Sequence, residues 1–160
     1  MYGFVVCYSN LVDRKPFQEP YPSYSTRLTG YLQTNPDSIP ESVDVMLLKI
    51  ANPPFAKTVH RPPTPNESAQ ASAAKWGVNN DGDEWRGTSS FQLGYVQGFL
   101  ECYSKHTKHT DGIFSRPPEW YVKAIAEWYG TGINPEKINA TRQHDKIPDV
   151  LFRFPDENEN

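Results

Sequence analysis

The heptapeptide Gly3-Phe4-Val5-Val6-Cys7-Tyr8-Ser9 returns 95 residues later as Gly98-Phe99-Leu100-Glu101-Cys102-Tyr103-Ser104, with five of its seven residues unchanged. The match does not stand alone. Tyr24, Leu28 and Tyr31 correspond to Tyr121, Ile125 and Trp128 at an offset of 97, and each trio has the i, i+4, i+7 spacing of one helix face. Further on, Ile39-Pro40 leads into Asp44-Val45-Met46-Leu47, as Ile147-Pro148 leads into Asp149-Val150-Leu151-Phe152. Three collinear blocks in one order read as an internal duplication, and such a duplication decides how the whole chain is organised.

Each half then reads as helix, Pro-rich turn, aromatic helix, connector and short apolar helix. In the second half, Thr88 or Ser89 caps a helix running to about Lys105, with Trp85 ahead of it as a hydrophobic staple. Apolar residues from Phe91 onward cover most of that helix and predict a central, largely buried position. Gly94 and Gly98 lie four apart on it, so another backbone can approach there, and the equivalent helix of the first half is the expected partner. Pro117 and Pro118 suit the first turn of the next helix and Gly130 its C-terminal end. Asn134-Pro135 is expected to open another short helix through about His144, and 147–154 completes the unit.

The expected fold is therefore all-α, with two related three-helix halves packed as a pseudo-twofold pair and joined by a Pro-rich connector. The first repeat occupies 1–51, the connector 52–82, the second repeat 83–155 and an acidic tail 156–160. The connector holds Pro53, Pro54, Pro62, Pro63 and Pro65 and cannot form a long helix or a packed strand, although the alanines within 68–75 suit one helical turn.

Composition narrows the function. At 37% hydrophobic and 13% aromatic residues, the 160-residue chain can build a packed core. A formal charge of -3, from 16 Lys+Arg against 19 Asp+Glu, gives none of the basic field that nucleic acid or an anionic bilayer attracts. No apolar run approaches the roughly 18 residues of a membrane span, and 1–20 lacks the order of a signal peptide.

In the second half about a dozen ordered residues precede the Gly-Phe motif, whereas only Met1 and Tyr2 do so in the first. Either the first repeat is naturally shorter, or Met1 is an internal methionine of a longer chain whose upstream part carries an export signal. The address follows from this choice: periplasmic or secreted in the second case, cytoplasmic in the first. Cys7 and Cys102 hold equivalent repeat positions. They read either as a disulfide, reachable if the two first helices cross at their glycines, or as two buried free thiols.

The run from Asp81 through Trp85-Arg86, then Leu93-Gly94-Tyr95-Val96-Gln97-Gly98-Phe99-Leu100-Glu101-Cys102-Tyr103, Phe114-Ser115-Arg116-Pro117, Tyr121 with Trp128-Tyr129, and Lys146-Ile147-Pro148-Asp149-Val150-Leu151-Phe152 resembles a family of uncharacterised, mostly exported bacterial proteins, over essentially the whole chain. That resemblance implies a degenerate first copy followed by a better-kept second one. The Gly-Tyr-x-x-Gly helix followed by a Tyr-rich helix is also similar to the small helical immunity proteins, of the Tai/Rap class, that neutralise type VI secretion effectors. The duplication and the lack of their paired-cysteine pattern within one domain are departures. This second resemblance implies a helical fold and a protein-binding role, and it transfers no catalytic residue.

Among motifs for chemistry, His106-Thr107-Lys108-His109-Thr110-Asp111 is the best constellation, with His106 and His109 at i, i+3 and Asp111 near enough to share a metal. The plainer role is that histidines and lysines at a helix C-terminus complement its dipole. Asn79, Asp81 and Asp83 alternate like a calcium loop, but the glycine and the twelfth residue fall wrongly. Cys102 beside Glu101, with His106 one turn on, is more simply core than thiolate and base. No nucleophile elbow, phosphate loop or dinucleotide fingerprint occurs, and no cofactor is expected. The leading reading is a non-enzymatic, exported helical scaffold that binds a protein or cell-envelope partner through Trp76, Trp85 and Trp120. The alternative is a small hydrolase or metal-dependent enzyme using His106, His109 and Asp111, with Glu101 assisting.

Overall fold

A computed structural model describes residues 1–38, 42–51, 80–108, 112–130 and 139–154. Among these residues every regular element is helical: α1 Tyr2–Leu11, α2 Tyr21–Thr34, a 3-10 turn Pro36–Ser38, α3 Val43–Ala51, α4 Gly82–Trp85, α5 Ser89–His106, α6 Pro118–Tyr129 and α7 Ile147–Leu151. The all-α class expected from the helical spacing of the apolar residues is the class observed.

The helix ends follow local chemistry. The Thr88 hydroxyl accepts a hydrogen bond from the Phe91 N–H at 3.3 Å, so Thr88 rather than Ser89 is the cap of α5. The Asp81 carboxylate accepts from the Asp83 N–H at 3.1 Å and starts α4. Prolines stand in the first turns of α2, α6 and α7, where a missing N–H costs nothing. Gly130 closes α6 at φ 67°, a left-handed conformation that glycine adopts without a Cβ clash.

The centre of the molecule is the crossing of α1 with α5. A Cβ on Gly3 would run into the Tyr95 carbonyl and lie 3.0 Å from the Phe99 nitrogen, and a Cβ on Gly98 would lie 3.0 Å from the Phe4 nitrogen. Each helix therefore presses its backbone against the other at a glycine. Gly94 has open space where its Cβ would stand, so the close approach expected at Gly94 and Gly98 is made at Gly98 and not at Gly94, with Gly3 as its counterpart on α1. One to two turns further along, Cys7 and Cys102 form a disulfide with Cα atoms 6.1 Å apart. Phe4, Val5 and Val6 from α1 and Tyr95, Val96, Phe99 and Tyr103 from α5 are buried around this crossing. Each such side chain contributes roughly 1.5–3 kcal/mol through burial.

On one side of the crossing, α2 packs against α3, burying Tyr24 and Leu28 with Met46, Leu47 and Ile50. On the other, α6 and α7 bury Tyr121, Ile125 and Tyr129 with Ile147, Val150 and Leu151. The two aromatic helices share a detail at the sequence offset of 97. The Tyr24 hydroxyl accepts from the Glu19 N–H at 2.7 Å, and the Tyr121 hydroxyl accepts from the Arg116 N–H at 3.3 Å. The third sequence block behaves otherwise. Asp44 is buried and Asp149 exposed, and burial pairs Met46 and Leu47 with Val150 and Leu151, one residue away from the sequence match.

Two expectations are revised by non-local hydrogen bonds. Residues 140–144 form turns rather than the end of a helix. There the chain folds back so that the Gln143 carbonyl accepts from the Gly82 N–H at 3.0 Å and its side-chain amide donates to the Tyr129 carbonyl at 3.2 Å. The last residues of the connector belong to the second half's core: Asn80 is fully buried, accepts from the Tyr95 hydroxyl at 2.7 Å and from the Ile147 N–H at 2.9 Å. The rest of the connector, 52–79, with the helical turn expected within 68–75, lies outside the described residues, as do the helix start at Asn134-Pro135 and the tail 156–160.

Candidate functional site

The three tryptophans expected to form a binding surface part company. Trp76 lies outside the described residues. Trp85 is 0% exposed, which removes it from any binding surface. The single turn of α4 tucks its indole inward while its neighbours Asp83 and Arg86 stay outside, 3.7 Å apart, and the Gln92 amide donates to the Trp85 carbonyl at 2.7 Å. Trp120 remains on the surface at 40% exposure, the highest of any aromatic side chain among the described residues.

Around Trp120 the structure assembles a face that the sequence does not announce. The Arg116 guanidinium lies over its indole, 5.8 Å from the ring centre, and Phe154 meets it edge-on at 6.4 Å. Phe154 also meets Trp128 edge-on at 6.3 Å. Two guanidiniums stack on Trp128: Arg142 at 4.1 Å and Arg153 at 4.6 Å from the ring centre. The Trp128 indole N–H donates to the Asp145 carboxylate at 2.9 Å, which fixes the ring. Trp128 stands on α6, Arg142 in the turn that follows and Arg153 just past α7, so only folding brings the two arginines to one ring. Trp120 and Trp128 stand about two turns apart on α6, bridged by Phe154, and no local signal reports the arginines.

The candidate metal centre is placed only in part. His109 and Asp111 lie outside the described residues, and among those described no three metal-ligating side chains gather. His106 instead spans the two halves. Its Nε2 stands 3.4 Å from the Asp44 carboxylate of α3, and its ring is edge-on to Phe4 at 5.5 Å and Tyr8 at 5.4 Å. Burial alone pushes the Asp44 carboxyl up, but hydrogen bonds from Ser42, His106 and the Val45 N–H, with the Lys105 charge 4.0 Å away, outweigh it and hold the group below its usual range. Glu101 is taken by Lys105 at 2.6 Å, and the Cys102 sulfur by Cys7, so the grouping of Glu101, Cys102 and His106 as thiolate and base is not formed.

A third group was not visible in sequence. Glu84 lies half-buried at the end of α4, with its Oε2 buried and without a hydrogen-bond partner. Burial pushes its carboxyl up to about 7, against a hydrogen bond from Tyr2 that acts the other way, while the Asp81 charge adds to the rise and Lys146 opposes it. The same burial, with the Glu84 charge, raises the Tyr2 and Tyr21 hydroxyls. Such a carboxyl holds its proton until near neutrality.

Comparison of the chain with protein-family models, curated proteins and solved structures finds no match. Among the described residues no helix is long and apolar enough to cross a membrane.

Proposed function

We propose that this chain is a non-enzymatic helical binding protein, exported from the cell, that recognises a protein or cell-envelope component through the face around Trp120. The observation that carries the reading is the exposure of Trp120 beside Arg116, since Trp and Arg dominate the energetics of protein interfaces and a solvent-exposed indole gains most from being covered. The Cys7–Cys102 disulfide supports export, because such bonds persist in oxidising compartments and are rare in the cytosol. On this reading the two halves are duplicated units related by a pseudo-twofold, a frame supported by the reciprocal glycine contacts, and an immunity-like role is one form the binding takes. The hydrolase or metal-enzyme alternative has less to support it, because His106 is engaged with Asp44.

The test is site-specific photo-crosslinking. A benzoyl-phenylalanine placed at position 120 and exposed to an envelope extract of the source cell should give one discrete adduct, absent when the probe stands at the exposed Lys15. Equal labelling from both positions would sink the reading. Replacing Trp120 by Ala should weaken the captured complex by about thirtyfold, the scale of a hot-spot residue.

A further inference from the structure

Resting on the binding reading above, we propose that the partner surface is a short acidic protein segment whose carboxylates are received by Arg142 and Arg153 on the Trp128 ring. A chain with net charge -3 places three guanidiniums on two indoles bridged by Phe154, Arg116 over Trp120 and Arg142 and Arg153 over Trp128. Neither Arg142 nor Arg153 has a carboxylate within ion-pair distance among the described residues, and the nearby Asp145 is occupied by the Trp128 indole. A guanidinium lying over an indole keeps its N–H edge open, and that edge matches a carboxylate in a two-pronged hydrogen bond. Stacking also holds the fork in place before binding, so less conformational freedom is lost when the acid arrives. Trp120, joined to Trp128 through Phe154, supplies the adjoining apolar anchor.

The acid is discrete rather than an extended anionic lattice. Glu119 and Glu127 stand exposed on α6, the helix that carries both tryptophans, and a bilayer or nucleic acid laid over this helix would meet them as well. Like charges juxtaposed in an interface are strongly disfavoured, whereas a short acidic segment can reach the arginines and avoid those two residues.

The experiment uses the full chain and fluorescein-labelled deca-glutamate, followed by fluorescence polarisation. Saturable binding is expected, weakening several-fold between 50 and 200 mM NaCl as exposed charge pairs are screened. The double variant R142A/R153A should lose about tenfold in affinity, R142K/R153K should regain only part of it because lysine lacks the fork, and K15A should bind as the parent does. Circular dichroism checks the fold, and should the double variant unfold, R153E at the exposed end of the patch serves in its place. Binding unchanged in these variants, or tighter binding to phosphatidylglycerol vesicles or to a dT20 oligonucleotide than to deca-glutamate, would overturn the proposal. The two readings fail separately. An adduct from position 120 with no binding of deca-glutamate removes the acidic partner and leaves the binding protein. Arginine-dependent binding of deca-glutamate without any adduct removes Trp120 as the anchor.

Discussion

Gly3 and Gly98, which open the two matching heptapeptides, face each other's helices reciprocally: a Cβ on either would lie 3.0 Å from a backbone nitrogen, that of Phe99 for Gly3 and that of Phe4 for Gly98. Gly3 is tighter still, because its Cβ would also collide with the Tyr95 carbonyl. Backbone cannot step aside as a side-chain end can, so G3A should destabilise by about 3 kcal/mol and G98A by about 1–2 kcal/mol. G94A is the internal control. Its Cβ meets nothing within 4 Å, and alanine in a helix interior is favoured over glycine, so it should stabilise by about 0.5–1 kcal/mol. Urea denaturation of the three variants tests the crossing, and equal losses at all three positions would show that α1 and α5 do not meet at Gly3 and Gly98.

The Cys7–Cys102 bond closes a separation of 95 residues, which excludes many extended conformations of the unfolded chain. Loop-closure entropy for a span of this length corresponds to about 4–5 kcal/mol. The variant C7A/C102A, or the parent in reductant, should therefore melt well below the oxidised protein while keeping its helical circular dichroism at low temperature. Unchanged melting on reduction would mean that the bond is not formed.

How much of this was legible depends on whether the deciding interaction is local. The cap at Thr88, the prolines opening α6 and α7 and the left-handed Gly130 are set by neighbouring residues, and they can be read from the chain. The matching Gly-Phe sequences put Cys7 and Cys102 at equivalent places but leave a disulfide and two buried thiols both open, and only the crossing of α1 with α5 brings the sulfurs together. Trp85 stands among charged residues that mark a surface, and only the three-dimensional course of α4 turns its ring inward while Asp83 and Arg86 stay out. Arg142 and Arg153 sit on different segments with no shared periodicity, and Trp128 collects them only after α6 and α7 pack. Asp44 reads as an ordinary first-turn acid of α3, yet its partner His106 is 62 positions away.

The Asp44–His106 pair links α3 to the end of α5, and its acid limb of stability has a definite sign. Asp44 is held below its usual value in the folded protein, so the stabilisation is present above the unfolded carboxyl range near pH 4 and is lost as pH falls through the lower folded value. D44N should flatten that acid limb and cost about 1–3 kcal/mol at pH 7, because His106 and the first turn of α3 lose a charged acceptor. Melting temperature followed from pH 2 to 7 in both proteins decides the matter, and an acid limb of the same slope in D44N would exclude Asp44 as its source.

Glu84 acts in the opposite direction. Its folded carboxyl is pushed up to about 7, mainly by burial, so its contribution is fully present below the ordinary glutamate range and is lost as pH rises through about 7. Glu84 is half-exposed and screened, which reduces the effect to about 1 kcal/mol between pH 5 and 8. E84Q carries a neutral amide of similar shape and should remove the decline, leaving the protein at pH 8 more stable than the parent. With Asp44 failing in acid and Glu84 in base, stability should peak between them. A parent protein equally stable at pH 5 and 8 would contradict the assignment.

Trp85 and Trp120 give the sharpest separation of core from surface. Trp85 is fully enclosed, so W85A leaves a cavity of indole size and should cost about 3–5 kcal/mol. Trp120 rests edge-on to Tyr121 at 5.1 Å and beside Phe154, but 40% of its surface meets solvent. W120A should therefore cost at most about 1 kcal/mol, chiefly through the lost aromatic edge contacts. The asymmetry matters for function, because a residue kept for packing loses stability and binding together, whereas one kept for recognition loses binding alone. Urea denaturation and partner affinity measured on the same two variants distinguish the cases. If W120A loses as much stability as W85A, Trp120 is a core residue and the binding face has no anchor.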